Sequence, residues 1–153
     1  MKSIKLLVII TFLFCLNGFS QTKPSVAFRV EKQAMSTPMS SLDEAYFSNF
    51  YLARPVNVKF DGTLLNVCYD NGSTVVKKQL TEVKRNAEYE DNTVSIETVL
   101  FVDNSNVSDT ISYTVDHVAS CIQIVVPTKN SKGEYVGYTC YKQFVKENQL
   151  ALN

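Results

Sequence analysis

The chain has 153 residues, in which 15 Lys and Arg balance 15 Asp and Glu, with 45% hydrophobic residues, five glycines and one histidine. That length suits one domain able to bury about two thirds of the surface of its unfolded chain. Its only adjacent basic pairs are Lys77-Lys78 and Lys84-Arg85, so it lacks the stripe of cations that holds a phosphate backbone, and nucleic acid is excluded as an expected partner.

The first element is a leader. Lys2 and Lys5 precede an apolar run from Leu6 to Leu16 broken only by Thr11, and the small residues Gly18 and Ser20 stand just before Gln21. These are the n-, h- and c-regions of a secretory signal peptide, with cleavage expected after Ser20. The run falls well short of the ~20 residues that a membrane-spanning helix needs. Phe14 before Cys15 is not the small residue that lipid attachment requires. The leader resembles those of Bacteroidota-type bacteria, where the mature chain often begins with Gln. The expectation is a single secreted or periplasmic β domain over residues 21–153, with no membrane span after cleavage.

Beyond the leader, period-two alternation recurs while helical periodicity is nearly absent. Val26, Phe28 and Val30 alternate with Ala27, Arg29 and Glu31. Between Pro38 and Pro55, Ser41-Leu-Asp-Glu44 has the form of a capping box, and Leu42, Tyr46 and Phe50 fall at i, i+4 and i+8. That segment reads either as one short helix near 41–51 or as an irregular loop. Val56, Val58 and Phe60 resume the alternation, and strands are expected at Leu64–Tyr69, Thr74–Lys84, Val94–Val102, Ile111–Val115, Cys121–Val126 and Tyr135–Phe144. Asp61-Gly62 and Asn71-Gly72 are dipeptides favoured in two-residue type I′ hairpins. As two-residue loops they would place Val58 opposite Leu65 and Val56 opposite Val67, then Val67 opposite Val76 and Cys68 opposite Val75. Both turns put the same valines on one face, and the next row, Val58–Leu65–Lys78, ends on a charge.

About eight strands joined by consecutive hairpins give an all-β fold, a single antiparallel β-barrel or β-sandwich with meander connections. The architecture resembles the small calycin or lipocalin-type barrels. The chain has no Trp, so the Gly-x-Trp motif of those proteins is missing, and fold analogy alone carries no function.

Three cysteines follow the leader: Cys68, Cys121 and Cys140. A final hairpin centred between Asn130 and Ser131 would set Cys121 directly opposite Cys140, within reach of a disulfide. Cys68 would then remain a free thiol, read as a small buried hydrophobe rather than a nucleophile, because no cationic cluster lies near it in the chain. His117 follows Asp116 at a strand end, but neighbouring strand residues point to opposite faces, so the pair forms no relay. One histidine with no spaced thiols makes no zinc site, and the acidic groups at Glu88–Asp91 and Asp103–Asp109 fit no EF-hand loop. No metal or other cofactor is expected. Tyr135, Tyr138, Tyr141 and Phe144 form an aromatic group, with packing as one role and a ligand platform as the other. Asp109-Thr110-Ile111 resembles the short O-glycosylation signal of Bacteroidota, which makes Thr110 a candidate acceptor.

Two functional classes stay open. The first is a non-catalytic secreted binding module for a small apolar ligand or a protein partner. The second is a secreted hydrolase-type enzyme with a carboxylate site built from loops, alongside a lesser reading as an enzyme inhibitor. A cavity inside the barrel would favour the first, and a carboxylate pair with perturbed titration in a cleft would favour the second.

Overall fold

In the computed structural model, residues 25–35 and 51–144 are described. Eight strands follow one another in chain order: β1 (Val26–Met35), β2 (Tyr51–Phe60), β3 (Leu64–Tyr69), β4 (Thr74–Glu90), β5 (Thr93–Asp103), β6 (Asn106–Asp116), β7 (Cys121–Lys129) and β8 (Tyr135–Phe144). Each pairs antiparallel with the next, and β1 returns to β8, so the expected meander is a barrel rather than a sandwich. The leader and residues 41–50 of the expected short helix lie outside the described residues, and Tyr51 already belongs to β2.

The alternation has the consequence expected of it. Val30, Val56, Val58, Phe60, Leu65, Val67, Val99, Phe101, Ile111, Tyr113, Val115, Ile122 and Ile124 point inward and are almost fully buried. An eight-stranded barrel is just wide enough for side chains to fill its middle. Phe60 does so, meeting Phe101 edge-on with ring centroids 5.1 Å apart and Tyr113 at 5.6 Å. The Tyr113 hydroxyl is buried there with no hydrogen-bond partner among the described residues.

Registers differ from those the turns predict. Val58 stands opposite Val67 and Phe60 opposite Leu65, because the loop is Gly62-Thr63 rather than Asp61-Gly62. Gly62 takes φ 83°, and the Asp61 carboxylate accepts hydrogen bonds from the Thr63 and Leu64 amides at 2.9 and 2.7 Å. Asp61 thus caps the turn from outside it. Val67 does face Val76, as expected. Cys68, however, faces Thr74 rather than Val75, because a bulge leaves Val75 unpaired. The β4–β5 hairpin turns on Asp91 and Asn92, at φ 49° and 63°, a type I′ loop built without glycine.

The disulfide expectation is corrected. Cys121 lies opposite Phe144 and Cys140 opposite Val125, and Cys68, Cys121 and Cys140 are all free thiols. The β7–β8 turn is centred two residues later than expected. Asn130 opens it, accepting hydrogen bonds from the Lys132 and Glu134 amides, and Gly133 at φ 82° closes it. Four rungs of ladder, roughly 13 Å along the strand, therefore separate Cys121 from the position opposite Cys140.

Candidate functional site

One end of the barrel carries the turns at 70–73, 104–105 and 130–134, and a cluster of charges hangs inside its rim. Lys78 occupies an inward position on β4, opposite Leu65. It bonds the carboxylates of Asp103 and Asp109, the latter at 3.1 Å. Lys129 reaches Asp109 at 2.8 Å, and the Tyr135 hydroxyl donates to the same carboxylate. Asp103 also accepts from the Ser105 amide and hydroxyl at 2.9 and 2.7 Å. The Lys129 ammonium lies 4.5 Å from the centre of the Tyr135 ring, within cation–π range.

Burial pushes the Asp109 carboxyl up, but the hydrogen bonds from Lys129, Tyr135 and Lys78 outweigh it and hold the group below its ordinary value. Burial likewise opposes, and Lys78 and Ser105 overcome, the same tendency at Asp103. Lys78 itself is lowered by burial and raised more strongly by its two carboxylates, so it stays charged. Two cations and two anions cancel. The cluster is closed on itself and offers no net charge to a ligand.

Beside it a cavity of about 290 Å³ opens into the same mouth. Val56, Val76 and Val126 give it apolar walls, Thr128 and Thr139 line it with hydroxyls bonded to each other at 2.7 Å, and Lys129 joins it to the charged cluster. Its volume lies at the lower bound of typical small-molecule pockets, about 300 Å³.

The residues singled out from the sequence are spread unevenly over the barrel, and only two of the four aromatics reach this mouth. Tyr141 lines the cavity and Tyr135 binds Asp109. Tyr138 pairs with Pro127 on the outer face, and Phe144 is 67% exposed at the other end of β8, with Lys142 over its ring. A bulge on β8 leaves Val136 unpaired, so that Lys129 faces Tyr135. Cys121 and Cys140 are buried on the outer face, where the Gln123 amide bridges them, donating to Cys121 Sγ at 3.8 Å and accepting from Cys140 Sγ at 3.6 Å. Burial pushes the Cys140 thiol up to about 12 and raises Cys121 as well, so neither is a ready thiolate. Cys68 is half-buried, its Sγ 3.9 Å from the Asn57 carbonyl. Thr110 is half-buried within β6, opposite Val102, and the acidic residue before it is locked in the cluster.

Sequence reasoning misses Lys78, Lys129 and Asp103 as partners. The signal for two members of the cluster is phase: Lys78 stands in register with Leu65, and Asp109 alternates in step with Ile111, Tyr113 and Val115. A charge at an inward position of a strand needs a counter-charge. Comparison with protein-family models, curated proteins and solved structures finds no significant match to this chain.

Proposed function

We propose that this chain is a non-catalytic binding module, exported by its leader, that holds a small group with both apolar and polar parts in the barrel mouth. The observation that carries this reading is the 290 Å³ cavity, walled by Val56, Val76 and Val126 and bordered by threonine hydroxyls. The electrostatics support binding over catalysis. A general acid at neutral pH needs a carboxyl raised toward 7, whereas Asp103 and Asp109 are both held below their ordinary values. The filled middle of the barrel limits the ligand to the mouth, which argues for a compact group rather than a long chain threading the interior.

Indole, a compact ring with one polar hydrogen, is a suitable probe. Titrated into the protein and followed by amide chemical shifts, it is expected to produce saturable changes at Val76, Val126, Thr128 and Thr139. Val76→Phe, at a half-buried wall position, is expected to abolish them by filling the space. Shifts that do not saturate, or that survive Val76→Phe, would remove the basis for the reading.

A further inference from the structure

The far half of β4 has a partner on one side only. Pairing with β3 ends at Leu64 and Gln79, and a last backbone bond joins the Leu80 amide to the Thr63 carbonyl at 2.7 Å. From Thr81 to Glu90 the strand is paired with β5 alone among the described residues. All of these residues are exposed except half-buried Arg85; Tyr89 is 67% exposed and Ala87 is also open to solvent. An open sheet edge presents a row of unpaired amides and carbonyls, the substrate of strand addition.

The ladder with β5 is uneven, and the unevenness divides this edge. The bulge at Val83 falls on β4, whereas the second one falls on β5, at Ser95. Lys84–Glu90 is therefore a regular run of strand, seven residues long: Lys-Arg-Asn-Ala-Glu-Tyr-Glu. Its cations lie before Ala87 and its anions after it. Paired antiparallel with itself about Ala87, it sets Lys84 opposite Glu90, Arg85 opposite Tyr89 and Asn86 opposite Glu88, each twice by symmetry. Like faces meet, since every pair joins residues of the same parity. Ala87, the smallest side chain of the run, falls on the axis where two copies of one residue must meet.

We propose that the Lys84–Glu90 edge of β4 pairs with the same segment of a second copy of this chain, in an isologous two-fold dimer. Opposite charges directly across strands are favourable and like charges there are not, so Lys84 and Glu90 carry the complementarity, while the Arg85 guanidinium is already held by Glu82 at 3.0 Å and Glu97 at 2.7 Å. The same charges that deter an unrelated strand from this edge complement an identical one. A contact of seven residues a side buries less than the ~1,200 Å² of a tight complex, so the dimer is weak and concentration-dependent.

Sedimentation velocity and amide shifts over a concentration series, on the order of 10 µM to 1 mM, test this on the purified protein. Self-association is expected, with concentration-dependent shifts confined to Lys84–Glu90. Lys84→Glu and Glu90→Lys alone each set like charges opposite one another twice, and each is expected to weaken association roughly tenfold. The double variant Lys84→Glu/Glu90→Lys restores opposite pairs at unchanged net charge and is expected to recover it. A protein that stays monomeric throughout, association that ignores both single reversals, or a double variant no better than the singles would each overturn the proposal.

Discussion

Lys78 shows how a single inward charge organises its surroundings. Its side chain is 19% exposed and its ammonium holds the carboxylates of two aspartate side chains that are 3% and 4% exposed. Removing one partner of such a group leaves uncompensated buried charge, at a cost of about 3 kcal/mol or more. Lys78→Met is therefore expected to destabilise the barrel by about that amount at pH 7. The pH dependence separates charge from packing. In the parent protein Asp103 and Asp109 are lowered, so their contribution is complete above the ordinary carboxylate value, about 4, and is lost as pH falls through the lowered folded values. Without Lys78, burial raises Asp103, and the variant's deficit should shrink as pH approaches about 3.5 and the carboxylates protonate. Urea unfolding at both pH values checks this, and an equal deficit at each would mean that Lys78 acts through its aliphatic stem. This cluster is half legible in the sequence. The phase of Lys78 and Asp109 marks both as inward, but Lys129 directly follows Thr128, which lines the cavity, so alternation along β7 assigns Lys129 to the opposite face and gives no sign of its bond to Asp109.

At the scale of the elements, strand existence is readable and register is not. Alternation depends on a period of two, and any slip by an even number of residues preserves it. That is why the pattern puts Val58, Leu65 and Val67 on the correct face while the turn dipeptides give all three the wrong partners across β2 and β3. The turns decide the registers, and each depends on the role of one residue. Asp61 caps the first turn rather than occupying it. Gly133 closes the last at φ 82°, the position following an Asn-initiated turn where the left-handed region favours glycine. The Asn130…Gly133 spacing carries that information, and reading it separates Cys121 from Cys140. Apart from its chain neighbours, no atom of the described residues lies within 4 Å of a Cβ placed on Gly133, so substitution there tests backbone conformation alone. Gly133→Ala is expected to cost about 1 kcal/mol and Gly133→Asn less, because Asn visits the left-handed region more readily. Urea unfolding measures both, and equal losses for the two would place the cost elsewhere than in φ.

Among the described residues, closure of the barrel is its least extensive joint. There β4 and β5 share ten registered pairs and β7 and β8 nine, whereas β1 meets β8 through Gln33–Tyr141, Ala34–Cys140 and Met35–Thr139. Local opening follows the density of such contacts. The seam amides of β1 and β8 are expected to exchange with solvent on the order of tenfold or more faster than those around Val99, Phe101, Ile111 and Tyr113, which lie in the fully buried middle. The seam also borders the mouth, because Thr139 and Tyr141, two of the three β8 residues that β1 pairs with, line the cavity. A group bound there touches both β8 and, through Val56, β2 on the far side of β1. It therefore binds the closed barrel in preference to an opened one, and a ligand that favours one state shifts the equilibrium toward it. Saturation with indole is accordingly expected to slow exchange at the seam while leaving the Val99–Tyr113 region unchanged. Equal slowing everywhere would indicate stabilisation of the global fold alone, and no slowing at the seam would separate the mouth from barrel closure.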